Sequence, residues 1–342
     1  MNRSLCFSLL IGVLSSAGLM PLQVSAQVQK ITPGFRAALK MREDTLKEYS
    51  RQMVMAQEPA ERFRYDSLFI RSFVRALQFT NSFYYPFDSV NISKLYAPDS
   101  AFRIFTWQAK KDEYVVMQRG AIQMRTPDGK LKLIPLHDQS MFTKNPMDSV
   151  RSNENWIGAI YYKIILKEYK GKKYYTLIGF DEFSVGSSKK WMEVLSFENG
   201  QPVFGNPAIS FEDDEEKRKP QHRFSIEFKK EAKAFFNYDP ELDLIIVDHL
   251  ISETDEPARK NTYVPDGDYE AFKWKNGRWV HVTKFFNQKL KDGQFPTDAK
   301  ILDDAGKADE QKLEEQSRKN YEKERKKNGG SPTPPSPIKK KP

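Results

Sequence analysis

Four histidines, His137, His222, His249 and His281, are the side chains whose chemistry is tuned to neutral pH. None is spaced from another as metal ligands are, and there is no H-E-x-x-H pair. His137-Asp138 and Asp248-His249 are sequence neighbours. Neighbours on one strand point to opposite faces, so neither pair forms a His–carboxylate couple within an extended segment. Carboxylates offer a second route, because a glycosidase needs only two of them close in space. Asp181, Glu182, Glu193, Asp248, Asp266, Asp268 and Glu270 are candidates. They stand among 46 acidic residues, a background that leaves the choice to the fold. Asp266 and Asp268 flank Gly267 and could hold calcium, although a turn with a bulge accounts for them more simply.

Other chemistries lack their residues. Cys6 is the one cysteine and lies ahead of the cleavage site described below. The mature chain then has no thiol, which excludes disulfides, cysteine catalysis, thiolate zinc and iron–sulfur centres. There is no G-x-S-x-G elbow, P-loop or G-x-G-x-x-G, and Gly186-Ser187-Ser188 reads as a turn. No catalytic residue, metal site or cofactor is therefore assigned.

The aromatic residues give one local candidate for ligand binding. A two-residue turn at Asn276-Gly277 pairs Lys275 with Arg278, Trp274 with Trp279 and Phe272 with His281. One strand face then carries Phe272, Trp274, Trp279 and His281. That face is either a sugar-stacking platform or core packing by a cross-strand aromatic pair.

These side chains must be positioned by strands. From about Phe102 to Phe286 apolar residues recur with a period of two, as in Phe224, Ile226 and Phe228 or Leu242, Leu244 and Ile246. Turn signals separate the runs: Pro127-Asp128-Gly129, Lys170-Gly171-Lys172, Asn199-Gly200, Pro265-Asp266-Gly267 and Asn276-Gly277. No helix-length segment interrupts them, so an antiparallel meander is expected over residues 91–297, closing into a barrel, a sandwich or a small propeller. Ahead of it, residues 27–90 carry two stripes at helical spacing. One is Phe35, Ala38, Leu46, Tyr49 and Met53, and the other Phe63, Ser67, Ile70, Phe73 and Leu77. They predict a helical hairpin split at Glu58-Pro59. The charge run from Phe211 to Pro220 reads as a solvated loop, with no EF-hand spacing for a cation.

Residues 1–26 read as a secretory signal. Arg3 supplies the positive start, Leu5–Met20 the apolar stretch and Val24-Ser25-Ala26 the cleavage site, so the mature chain starts at Gln27 and is periplasmic or secreted. No later run is apolar for the roughly 20 residues that a membrane helix needs. The net charge is +9. Much of it sits in residues 318–342, the end of a polar, Pro-rich stretch over 298–342 that is expected to be disordered. There Arg318, Lys319, Lys323, Arg325, Lys326, Lys327, Lys339, Lys340 and Lys341 face only Glu322 and Glu324 over the last 25 residues. Such a tail is suited to an anionic surface, lipid head groups or cell-wall polymer. The rest is close to neutral, which argues against nucleic-acid binding.

Four stretches carry a resemblance: Pro98–Trp107, Tyr161–Phe180, Asn199–Gly205 and Tyr263–Phe272. They resemble a group of secreted bacterial envelope proteins with no assigned activity, over roughly residues 95–285. The resemblance implies export and an all-β centre. The reading as a whole is a non-catalytic envelope protein that binds or scaffolds. Its rival is a secreted hydrolase that acts on glycan or peptide through carboxylates.

Overall fold

The computed structural model describes residues 31–285, apart from Glu113, Asp255 and Lys284, together with Arg318. The expected signal segment, its expected cleavage site and all the other basic tail residues lie outside the described residues. Two helices open the described residues, α1 (Pro33–Met55) and α2 (Pro59–Leu77). Each starts on a proline, whose missing N–H costs nothing in the first turn. Thr32 caps α1 by accepting from the Phe35 amide at 3.3 Å.

The faces that these helices bury differ from the predicted stripes. α1 buries Leu39, Glu43, Leu46, Ser50 and Met53, while Phe35 is exposed. α2 buries Asp66, Phe69, Phe73, Ala76 and Leu77, and Ser67 is exposed. The cause is polar residues in the seam. Glu43 accepts from the Tyr85 hydroxyl (2.6 Å) and the Ser89 amide (2.8 Å), and Ser50 Oγ accepts from the Asn91 amide (3.0 Å). Asp66 accepts from Trp107 Nε1 (2.8 Å) and Arg119 Nε (3.1 Å). Burial is tolerable because each group is paired.

Fifteen strands follow. The first sheet is a four-stranded meander of β1 (Ser93–Tyr96), β2 (Phe102–Lys110), β3 (Val116–Met124) and β4 (Lys132–His137). The second contains β5 (Arg151–Ser152), β6 (Ile160–Tyr169), β7 (Lys172–Asp181), β8 (Ser187–Glu198), β9 (Gln201–Phe204) and β11 (Arg223–Lys229). Its order is β5-β9-β8-β7-β6, and the long β8 also pairs with β11, through Ser187–Glu193. The third takes β10 (Ile209–Ser210), β12 (Phe236–Asp239), β13 (Leu244–Ser252), β14 (Tyr263–Lys275) and β15 (Arg278–Val282). Its order is β10-β15-β14-β13-β12, and β10 joins β15 in parallel, an exception to the expected antiparallel pairing.

The period of two distributes these residues between layers. On β2, Phe105 and Trp107 pack against the helices, whereas Phe102 and Ile104 pack with the second sheet. On β7 and β8, Tyr175, Leu177, Trp191 and Leu195 face the first sheet, and Ile178, Met192 and Val194 face the third. The central sheet is therefore buried on both faces. The result is a stack of open sheets under a helical cover, with no closed barrel among the described residues. No described helix is long and apolar enough to cross a membrane.

Two turn signals fare differently. Asn276 and Gly277 have φ of 52° and 81°, the primed-turn geometry that matches strand twist. A Cβ on Gly277 would lie 2.5 Å from the Tyr169 ring. Pro265-Asp266-Gly267 is not a hairpin turn. It lies inside β14, where Asp248 pairs with Tyr269 and Leu250 with Pro265, so His249 alone faces Asp266, Gly267 and Asp268. This bulge places side chains at the site described next. At the start of β13, Leu242 is exposed and lies before the strand, so the predicted run begins at Leu244.

Candidate functional site: an aromatic pocket and a polar cleft sharing Lys189

Lys189 lines two neighbouring concavities. The first is a polar cleft of about 420 Å³ between β11 and the bulged part of β13 and β14. Its wall includes Ser225, Glu227, Asp248, His249, Tyr263 and Glu270. The bulge brings His249 Nδ1 to 2.8 Å from Asp266 Oδ2, while His249 Nε2 lies 3.9 Å from Glu270 Oε1. The other oxygen of Glu270 accepts from His281 Nε2 at 3.1 Å, and His281 Nδ1 donates to Asp214 at 2.8 Å. A chain Asp266–His249–Glu270–His281–Asp214 thus runs from the cleft into the protein.

Burial disfavours a charged His281 ring, but hydrogen bonds to Glu270 and Asp214 outweigh it and raise its pKa above the usual histidine value. The geometry agrees. Carboxylates only accept, so a ring with one on each nitrogen donates from both and is an imidazolium. Burial pushes the Asp248 carboxyl up, partly offset by the Phe235 N–H at 2.6 Å and by Lys190. Asp266 goes the other way. Burial would raise it, yet the Asp268 N–H and His249 hold it below the usual carboxylate range. Glu227 accepts from Ser187 Oγ (2.7 Å) and pairs with Lys189 Nζ (3.2 Å).

The second concavity is a pocket of about 300 Å³ between the β2–β3 loop, the segment after β4, and the ends of β7 and β8. Its walls are Val116, Pro146, Ile157, Phe183 and Trp191, with Asp181 also lining it. Tyr114, Met141 and Phe183, all on its lining, are 75%, 73% and 45% exposed. Lys189 Nζ sits 3.3 Å from the Phe183 ring centre and 5.6 Å from that of Trp191. Asp181 Oδ1 accepts from the Phe183 amide and Gln118 Nε2, each at 3.0 Å, and burial raises its pKa despite them. Trp191 is 6% exposed and its Nε1–H has no acceptor in the structure.

The sequence candidates scatter. Asp248, His249, Glu270 and, through His249, Asp266 meet at the cleft, and Asp181 lines the pocket. Asp268 is exposed, and Glu182 pairs with Lys110 at 3.3 Å. Glu193 is buried in an ion pair with Arg223 (2.7 Å) and accepts from the Tyr161 hydroxyl. His137 lies on the surface, 3.8 Å from Glu154, and the His222 amide donates to Met147 O. The predicted hairpin register holds, with Trp274 opposite Trp279 and Phe272 opposite His281. Phe272 and Trp279 have no exposed area and His281 has 3%. Rings so enclosed offer no face to a sugar, and only Trp274 is partly exposed. The charge-run loop is solvated except at Phe211, which is buried in the core, and at Asp214, whose side chain turns inward to His281.

Lys189, Trp191, Glu227, Tyr114 and Met141 carried no mark in the sequence, and Asp214 was marked only as part of a solvated charge run. They come from loops and strands far apart in the chain, and no motif spacing joins them. Among the described residues no group of three or more His, Cys, Asp or Glu side chains could hold a metal ion. No protein family, curated protein or solved structure matches this chain.

Proposed function

We propose that this chain is an exported, non-catalytic binding protein of the cell envelope whose ligand enters the aromatic pocket and reaches toward the cleft past Lys189. The observation that carries the reading is the rim. Tyr114, Met141 and Phe183 expose large apolar surface around a concavity that joins apolar walls to the polar side chains of Thr143, Lys144, Asp181 and Lys189, the usual anatomy of a ligand site. Export rests on the signal-like start, and the basic tail adds weak attachment to an anionic surface. The hydrolase reading draws on Asp248 and Glu270 in one cleft. It is the weaker, because Glu270 is held by His281 and Asp248 by the Phe235 amide.

Thermal-shift screening of the mature chain against glycans, peptides and small organic acids tests this. At least one class should raise Tm, and Tyr114→Asp with Phe183→Asp should abolish the rise. Turnover of a glycan or peptide that disappears in Asp248→Asn would overturn the binding reading in favour of hydrolysis. The envelope-located protein should start at Gln27, and deletion of residues 318–342 should weaken adsorption to anionic vesicles at low salt.

A further inference from the structure

We infer that the aromatic pocket takes a small organic carboxylate with a flat apolar body, its acid group accepting from Trp191 Nε1–H beside Lys189. This rests on the pocket being a ligand site and adds the ligand's chemistry.

On Asp181, Oδ1 already receives two hydrogen bonds. Thr143 Oγ1 donates to Gln139 O at 2.9 Å, so its proton is committed and it can only accept, as can the second Asp181 oxygen. Against these acceptors stand unspent donors and positive charge. Trp191 Nε1–H is buried and unpartnered. A buried donor without an acceptor costs about 1–3 kcal/mol, and native proteins keep few of them without reason. Lys189 has three protons and one carboxylate partner, Glu227, and Lys144 stands exposed at the lining. A cavity that offers donors, two cations and apolar walls complements an anion rich in acceptors and joined to an apolar body. An amine would meet Lys189 and Lys144.

The probe is 2-naphthoate, with 2-naphthalenemethanol as its neutral counterpart, titrated into the ¹⁵N-labelled mature chain. The indole N–H signal of Trp191 is identified by its loss in Trp191→Phe. We expect this signal to move saturably with naphthoate, and the alcohol to bind at least tenfold more weakly. Lys189→Met should weaken naphthoate at least tenfold, and Tyr114→Ala, at an exposed position that cannot unfold the chain, should weaken it severalfold. Equal shifts with naphthoate and the alcohol would overturn the carboxylate inference while leaving the pocket a ligand site. A Trp191 signal that neither compound moves, with the rim variants also without effect, would overturn both.

Discussion

Where the helical pair meets the first sheet, charged side chains are buried. Where the second sheet meets the third, the contact is apolar. At the helical interface Glu43, Asp66 and Arg103 are 4%, 1% and 0% exposed. Among the described residues Arg103 has no carboxylate partner. It donates to Gln123 Oε1 (2.8 Å), Tyr85 O (2.6 Å), Tyr96 Oη (2.8 Å) and Ser82 O (2.9 Å), and lies 4.7 Å from the Phe105 ring centre. Burial lowers its pKa to about 10, so it keeps its charge at neutral pH. The opposite interface is built from Ile178, Met192, Val194, Phe236, Ile245, Val247, Phe272 and Trp279, with Trp279 Nε1 donating to Thr176 Oγ1 at 2.7 Å. Apolar packing responds to volume and forgives chemistry, whereas a polar seam accepts one arrangement in which every donor meets its acceptor.

Four substitutions test that contrast, the largest effect first. Trp279→Ala opens a cavity in the apolar interface and should cost ~3–5 kcal/mol in denaturant unfolding. A loss below ~1 kcal/mol would show that the interface collapses around the gap. Arg103→Leu strands the carbonyls of Ser82 and Tyr85 and the Gln123 amide oxygen, and should cost ~2–4 kcal/mol. Arg103→Lys should recover little, since a single ammonium cannot span acceptors set for a planar fork. Full recovery would mean that charge alone matters there, and the contrast would fall.

His281→Asn comes third, with an expected cost of ~1–3 kcal/mol at pH 6. The folded pKa of His281 is raised, so its contribution is complete below the unfolded value near 6.5 and is lost as pH rises through the folded value. Unfolding free energies from pH 6 to 9 should fall in the parent and flatten in the variant. Parallel curves would sink the assignment. The smallest effect belongs to Asp181→Asn. A carboxyl raised by burial costs stability once pH exceeds its unfolded value, so the amide should gain up to ~1 kcal/mol at pH 8. Both of its hydrogen bonds reach one oxygen, which asparagine can supply. A loss at pH 8 would show that the ionised form is favoured.

What was legible in the sequence was local. The β14–β15 register follows from two residues, Asn276 and Gly277, whose backbone geometry fixes the pairs beside them. The helical faces were not legible. Glu43, Ser50 and Asp66 look like solvent-facing residues until partners about 40 to 50 positions away reach them. Pro265-Asp266-Gly267 has the residues of a turn, but pairing along the whole of β13 carries the strand through it. At the site, the flagged carboxylates Asp181, Asp248, Asp266 and Glu270 took their places. The pocket's donors did not announce themselves, because a lone Trp191 gains its meaning only from what fails to pair with it.

The layers follow one another in space in the order in which the chain encodes them: helices, first sheet, second sheet, third sheet. Only β10 steps out of turn, joining the third sheet before β11 completes the second. A chain made from its N-terminus therefore completes each layer before the next arrives to cover it. During synthesis there is always one unfinished apolar face, first Phe102 and Ile104, then Ile178 and Val194. Each such face stays uncovered until about 80 more residues have been delivered, several seconds at ~5–20 residues per second. The same order means that a chain stopped after any sheet leaves a sticky surface behind, so truncation should yield aggregates rather than smaller soluble folds.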